Sequence, residues 1–197
     1  MRDRIEAALA PALAFAWRYW PGVAAAVSAA MLATAHTFEA LGYEPCLLCL
    51  RQREVYWGVL WIAGASAWFW ARHPEGRIAR AAQVLVGTAF LTGAIIAGYH
   101  AGVEWKFWPG PAACALSNLN NVSADSIAAA LGAGGPAVVC DEAAWRDPIL
   151  RLSMAGWNAL ISIGLAVASF LAAQRTLERV ETEDEGGPQP QQQGQHA

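Results

Sequence analysis

The 197-residue chain is 56% hydrophobic and 15% charged, with ten tryptophans, a balance too apolar for an ordinary soluble domain. Its formal net charge of −3 offers no basic face for nucleic acid, and that class is set aside. What remains is a membrane protein whose four cysteines are inert thiols, metal ligands or redox pairs, a choice only their placement can make.

From the N-terminus, residues 1–19 carry Ile5, Leu9, Leu13 and Trp17 at helical spacing with charges between them. This pattern predicts an interfacial helix leading into the membrane, not a cleavable signal peptide. Uncharged stretches follow at 19–38, 55–71, 81–103 and 152–174. Each approaches the roughly 20 residues needed to cross about 30 Å of hydrocarbon, and the second extends upstream to about residue 52. Four such runs are hard to bury in a soluble core of this length. The expected fold class is therefore all-α: a polytopic, four-transmembrane-helix bundle forming one domain over 1–177, with spans at 19–38, 52–71, 81–103 and 152–174. The segment 178–197, acidic and then glutamine-rich, cannot bury a core and is expected to be a disordered tail.

An up-and-down bundle puts the connectors after the first and third spans on one side, and these hold every cysteine. On the opposite side lie Arg2, Arg4, Arg18, Arg72, Arg77, Arg80, Arg175 and Arg179; the cysteine side has Arg51, Arg53, Lys106, Arg146 and Arg151. The bias predicts cytoplasmic termini and periplasmic loops at about 39–51 and 104–151, a compartment that permits disulfides.

The first loop ends in Pro45-Cys46-Leu47-Leu48-Cys49, immediately before the second span. A helix N-terminus stabilises thiolate, and a Cys-X-X-Cys pair can close and open with little backbone motion. Zinc would want four ligands, such as two short pairs, whereas Cys114 and Cys140 stand twenty-six residues apart; no metal is expected. Two purely structural disulfides are the other reading. Arg53, four residues after Cys49, would share a helical face with it and lay its charge above the thiolate. Equally, it could snorkel to lipid phosphates, which is the better reading for Arg51.

Near the outer end of the third span His100 is an uncommon ionisable group at membrane depth, clustered with Tyr99 and Glu104. It is a functional candidate or a hydrogen-bonding partner of a neighbouring helix, and His36 and Glu39 pose the same choice. In the long loop, Trp105, Phe107 and Trp108 suit an interfacial belt, and Pro109-Gly110-Pro111 turns the chain into Cys114. Ser123 can cap a short amphipathic helix with Ile127 and Leu131 on one side, lying on the membrane surface. A glycine-rich break at 132–136 then precedes Cys140 and would let it travel between partners.

With Pro45-Cys46-Leu47-Leu48-Cys49, Gln52-Arg53, Tyr99-His100, Trp108, Gly110-Pro111, Cys114 and Cys140-Asp141 together, the chain resembles the disulfide bond formation protein B (DsbB) family over roughly residues 21–174. The resemblance implies a thiol oxidase of the bacterial inner membrane. Cys46 and Cys49 would be reoxidised by a membrane quinone, ubiquinone or menaquinone, with Cys49 against the ring, Arg53 polarising a carbonyl and His100 beside it. Cys114 and Cys140 would meet a periplasmic DsbA-like thioredoxin-fold partner through a mixed disulfide at Cys114. Cys140 would resolve it, by way of a bridge to Cys46. Enzymes of the vitamin K epoxide reductase type share four helices and a Cys-X-X-Cys motif but usually carry it near the end of a later span. A membrane protein stapled by two disulfides is the non-enzymatic alternative.

Overall fold

The computed structural model describes residues 10–11, 14–17, 19–70, 77–111, 114 and 140–185. Among them the fold is all-helical: α1 (Trp20–Ala40), α2 (Leu47–Trp70), α3 (Arg77–Glu104) and α4 (Met154–Glu185). The expected surface helix around Ser123, Ile127 and Leu131, the glycine-rich break and most of the N-terminal segment lie outside the described residues. Residues 14–17 are helical, and Arg175 of α4 sits 4.3 Å above the Trp17 ring, a cation–π contact at the end of the bundle away from the cysteines.

Local sequence explains where the helices begin and end. Pro21 stands in the first turn of α1, where its missing N–H costs nothing. At the other end Gly42 takes φ +94°, and the Tyr43 N–H reaches Phe38 O while the Gly42 N–H reaches Glu39 O. This is a Schellman stop, closed by Tyr43 and Phe38 rings 5.6 Å apart. Lys106, at φ 62°, turns the chain out of α3. Ser153 caps α4 by accepting the Gly156 N–H at 3.1 Å. That helix continues to Glu185 before Gly186-Gly187-Pro188, and α2 starts at Leu47, five residues ahead of the expected span.

The helices run alternately up and down, with α1 and α3 flanking α2, and α3 packed along α4. Their core joins Ala24 and Leu32 of α1, Tyr56, Val59 and Ala63 of α2, Val86 and Phe90 of α3 and Ala166 of α4. Small residues allow close approach: a Cβ at Gly87 would meet the Phe170 ring at 2.9 Å, and one at Gly93 would meet Val55 at 3.1 Å. Polar ties cross the bundle as well, from Trp20 Nε1 to Ser169 Oγ and from Thr176 Oγ1 to Gln83 Oε1. Large apolar residues such as Trp61, Ile95, Leu160 and Val167 point outward, the reverse of a soluble bundle. Three helices, Trp20–Ala40, Ile78–Glu104 and Met154–Glu178, are long and apolar enough to cross a membrane. The 24-residue α2 is not among them, its first turns being interrupted by Arg51, Arg53 and Glu54.

Candidate functional site

The cysteine end of the bundle is built around the start of α2. Cys46 occupies the N-cap position: its carbonyl accepts the Leu50 N–H at 3.0 Å, and its Sγ accepts the Cys49 N–H at 3.3 Å. Sulfur thus stands where Ser or Asp oxygen caps other helices, facing unpaired N–H groups and the positive end of the peptide dipoles. Cys49 Sγ lies 3.0 Å from Cys46 Sγ, both as free thiols, and His100 Nε2 approaches Cys46 from α3 at 3.5 Å. The hydrogen bond shared with Cys49 holds the Cys46 thiol down to about 4, helped by His100 and the Cys49 N–H against the opposing effect of burial. Within this dithiol the N-cap position favours Cys46 as the anionic partner.

Cys114 and Cys140 form a disulfide with Cα atoms 5.2 Å apart. Both are buried in one cluster with Cys46, Leu48 and Val103, against which Leu47 and Cys49 pack. All four cysteines, far apart in sequence, therefore meet at one end of the bundle. Lys106 ties the second pair in place, its Nζ reaching the Asp141 carboxylate at 2.6 Å and the Asp141 carbonyl at 2.7 Å.

Arg53 projects toward α1. Its Nη1 donates to Glu39 Oε2 and its Nη2 to Ala35 O at 3.1 Å, while His36 Nδ1 stands 3.4 Å from the same Glu39 oxygen. Arg51 instead pairs with Glu54 on the exposed side. His100 is buried, with Nδ1 2.8 Å from Gln52 Nε2 and Nε2 3.7 Å from Glu104 Oε1. Gln52 Oε1 accepts from Asn158 Nδ2, and Asn158 Oδ1 accepts from Tyr56 OH and Ser162 Oγ. Tyr99 takes no part: its ring stacks on Trp108 and its hydroxyl donates to Pro109 O. The expected grouping of Tyr99, His100 and Glu104 is thus divided, since one helical step turns Tyr99 about 100° away from His100.

A cavity of about 330 Å³ opens beside these groups. Its walls include Met31, Leu32, Phe38, Trp145, Met154 and Ile161, and Cys49, Arg53 and His100 also line it. Apolar walls with a few convergent polar groups suit a flat ring bearing carbonyl oxygens. The thiols offer electrons, and the guanidinium and imidazole offer N–H donors. Cys46, Cys49 and His100 also have ligand atoms within 4.8 Å of one another, a spacing that could hold a metal ion. The Gln52 amide on Nδ1 opposes this, because it leaves the proton of a neutral imidazole on the nitrogen that faces the sulfurs.

Sequence reading singled out the four cysteines, Arg53 and His100. It gave no role to Gln52, and it passed over Asn158, Tyr56 and Ser162. Asn158 and Ser162, four residues apart on an apolar helix, carried a usable signal: polar side chains on one stripe at membrane depth need partners.

A family model described as disulfide bond formation protein DsbB matches residues 17–172. Searches of curated proteins and of solved structures find no match.

Proposed function

The chain belongs to the DsbB family, a family of helical membrane proteins of disulfide bond formation, and from that premise we propose that it is a thiol:quinone oxidoreductase of the bacterial inner membrane. It reoxidises a periplasmic DsbA-like dithiol protein. The observation that carries this reading is the gathering of Cys46, Cys49, Cys114 and Cys140 at one end of the bundle, beside an apolar cavity lined by Cys49 and Arg53.

In the relay, a partner thiolate attacks Cys114 Sγ, a mixed disulfide forms, and Cys140 leaves as a thiolate. Cys140 then attacks Cys46 Sγ of an oxidised Cys46–Cys49 pair and releases Cys49 toward the cavity. The partner's second thiol closes its own disulfide and frees Cys114, which attacks Cys140 to restore the Cys114–Cys140 disulfide and release Cys46, so two electrons and two protons pass from the partner to the Cys46–Cys49 pair in each turnover. A quinone, when bound, supplies the two-electron sink that a strongly oxidising dithiol couple requires. Arg53 and His100 would hold its headgroup, and the apolar walls would exclude water from the Cys49 sulfur. The purified chain, supplied with reduced DsbA-like protein and ubiquinone, should lose partner thiols and form quinol at two thiols per quinol. Thiol loss without quinol, or neither, overturns the reading.

For topology, α2 is the fourth span, since 24 residues at 1.5 Å each reach about 36 Å. Both termini then face the cytoplasm and the cysteine end the periplasm. An impermeant thiol reagent added to reduced spheroplasts should label cysteines without permeabilisation. Labelling that requires a broken membrane would reverse the orientation.

A further inference from the structure

We propose that Gln52 is a positioning residue: anchored by Leu48 and Asn158, it holds the His100 imidazole as a neutral ring with its proton on Nε2, pointed at the Cys46 sulfur. Gln52 Nε2 lies 2.8 Å from His100 Nδ1 and 3.2 Å from Leu48 O. A carbonyl oxygen only accepts, so the atom between Leu48 O and His100 must be the amide NH2. Flipping the amide would set two oxygens against each other at Leu48 and two NH2 groups against each other at Asn158.

The far side of the amide is equally constrained. Gln52 Oε1 accepts from Asn158 Nδ2, and Asn158 cannot turn over without surrendering the hydroxyls of Tyr56 and Ser162 on its Oδ1. Gln52, Tyr56, His100, Asn158 and Ser162 are all buried, where a polar group left unpaired costs about 1–3 kcal/mol. Three helices thus agree on one amide orientation.

The consequence reaches Cys46. With Nδ1 accepting, a neutral His100 has its proton on Nε2, 3.5 Å from Cys46 Sγ. The Nε2–H adds a side-chain donor to the sulfur already capped by the Cys49 N–H. The titratable groups around His100 are Cys46 and Cys49 from the start of α2 and Glu104 one turn along α3, with Arg146 acting on Glu104. The α4 residues reaching this network, Asn158 and Ser162, are neutral. On α1, His36 and Glu39 are engaged with each other and with Arg53. Resting on the relay proposed above, the arrangement stabilises Cys46 as the leaving thiolate when its bridge to Cys140 is resolved.

The test needs neither quinone nor protein partner, so it stands apart from the coupled assay. In the full-length chain labelled with 15N-histidine, with His100 assigned by its loss in His100→Gln, the wild type should show an unprotonated, hydrogen-bonded Nδ1 and a protonated Nε2. Gln52→Glu should protonate Nδ1, since a carboxylate there accepts. In a chain whose only cysteine is Cys46, Gln52→Leu and Asn158→Leu should each move the midpoint of the alkylation–pH profile up by about one unit, a tenfold loss of thiolate below it. A protonated Nδ1 in the wild type overturns the proposal without any variant having to fold. So does an alkylation midpoint that neither variant moves. Turnover by a chain that fails these measurements would leave the oxidase reading intact and remove only the role given to Gln52.

Discussion

Cys140→Ser should abolish turnover, by at least about 10³-fold, and leave Cys114 a lone thiolate that joins the chain covalently to the oxidised form of the proposed DsbA-like partner. The expected species is a mixed disulfide on a non-reducing gel that collapses with dithiothreitol and is absent from Cys114→Ser. Its cause is a missing acceptor. The lone Cys114 thiolate attacks the oxidised partner's disulfide and releases one partner thiol, and serine oxygen at position 140, which forms no disulfide, cannot pass the electron pair on toward Cys46. Cys140 is buried in contact with the cluster that holds Cys46, the right neighbourhood for that sulfur to travel a short distance. A pair of structural staples behaves differently: both disulfides would stay oxidised during turnover, and Cys140→Ser would cost stability, typically about 2–5 kcal/mol, without trapping a partner. Wild-type turnover in Cys140→Ser removes the relay.

Arg53→Ala should lower kcat/KM for quinone by roughly 30- to 1000-fold, about 2–4 kcal/mol of transition-state stabilisation, the scale of one lost donor in an oxyanion site. Partner exchange at Cys114 should persist. The geometry supplies a reason for a fixed direction: Glu39 and Ala35 hold one N–H of each terminal nitrogen of the guanidinium against α1. The remaining donors belong to a planar group whose plane is already set, and Arg53 lines the cavity beside Cys49. Arg53→Lys keeps a charge but cannot make both α1 bonds and still present a second fixed donor, so a raised KM with a smaller loss in kcat is expected. An arginine that serves lipid phosphates would tolerate lysine at little cost. Stability is a minor confounder, because Glu39 is 44% exposed and loses a pair that water largely replaces. Steady-state rates against quinone concentration decide the matter, and unchanged kcat and KM in both variants take Arg53 out of the site.

Much of this was legible in one dimension because lipid imposes a coarse rule. Runs of about 20 uncharged residues mark helices directly, and α1, α3 and α4 lie where those runs lie. The start of α2 was less legible, since Arg51, Arg53 and Glu54 break the hydropathy run although the backbone is helical from Leu47. A Cys-X-X-Cys pair is equally visible, for its chemistry depends on a spacing of three residues. The sequence by itself therefore determined the all-helical membrane class, the family and the connectors that carry the four cysteines.

Only the tertiary structure decided which groups meet those sulfurs. Cys46 and His100 are fifty-four residues apart, Gln52 and Asn158 one hundred and six, and no local periodicity relates them. Arg53 could have been aimed at lipid or at the sulfurs, and its partners on α1 follow from how α1 and α2 cross. Tyr99 and His100 are adjacent, yet the helix turns one toward Trp108 and the other toward Cys46. The physical reason is common to all of these. Propensity and hydropathy act within a segment, whereas a buried polar group is satisfied by whichever neighbour the packing of separate helices brings within 3 Å, and that packing is set by Phe90, Val59, Gly87 and Gly93 in the core rather than by the polar residues themselves.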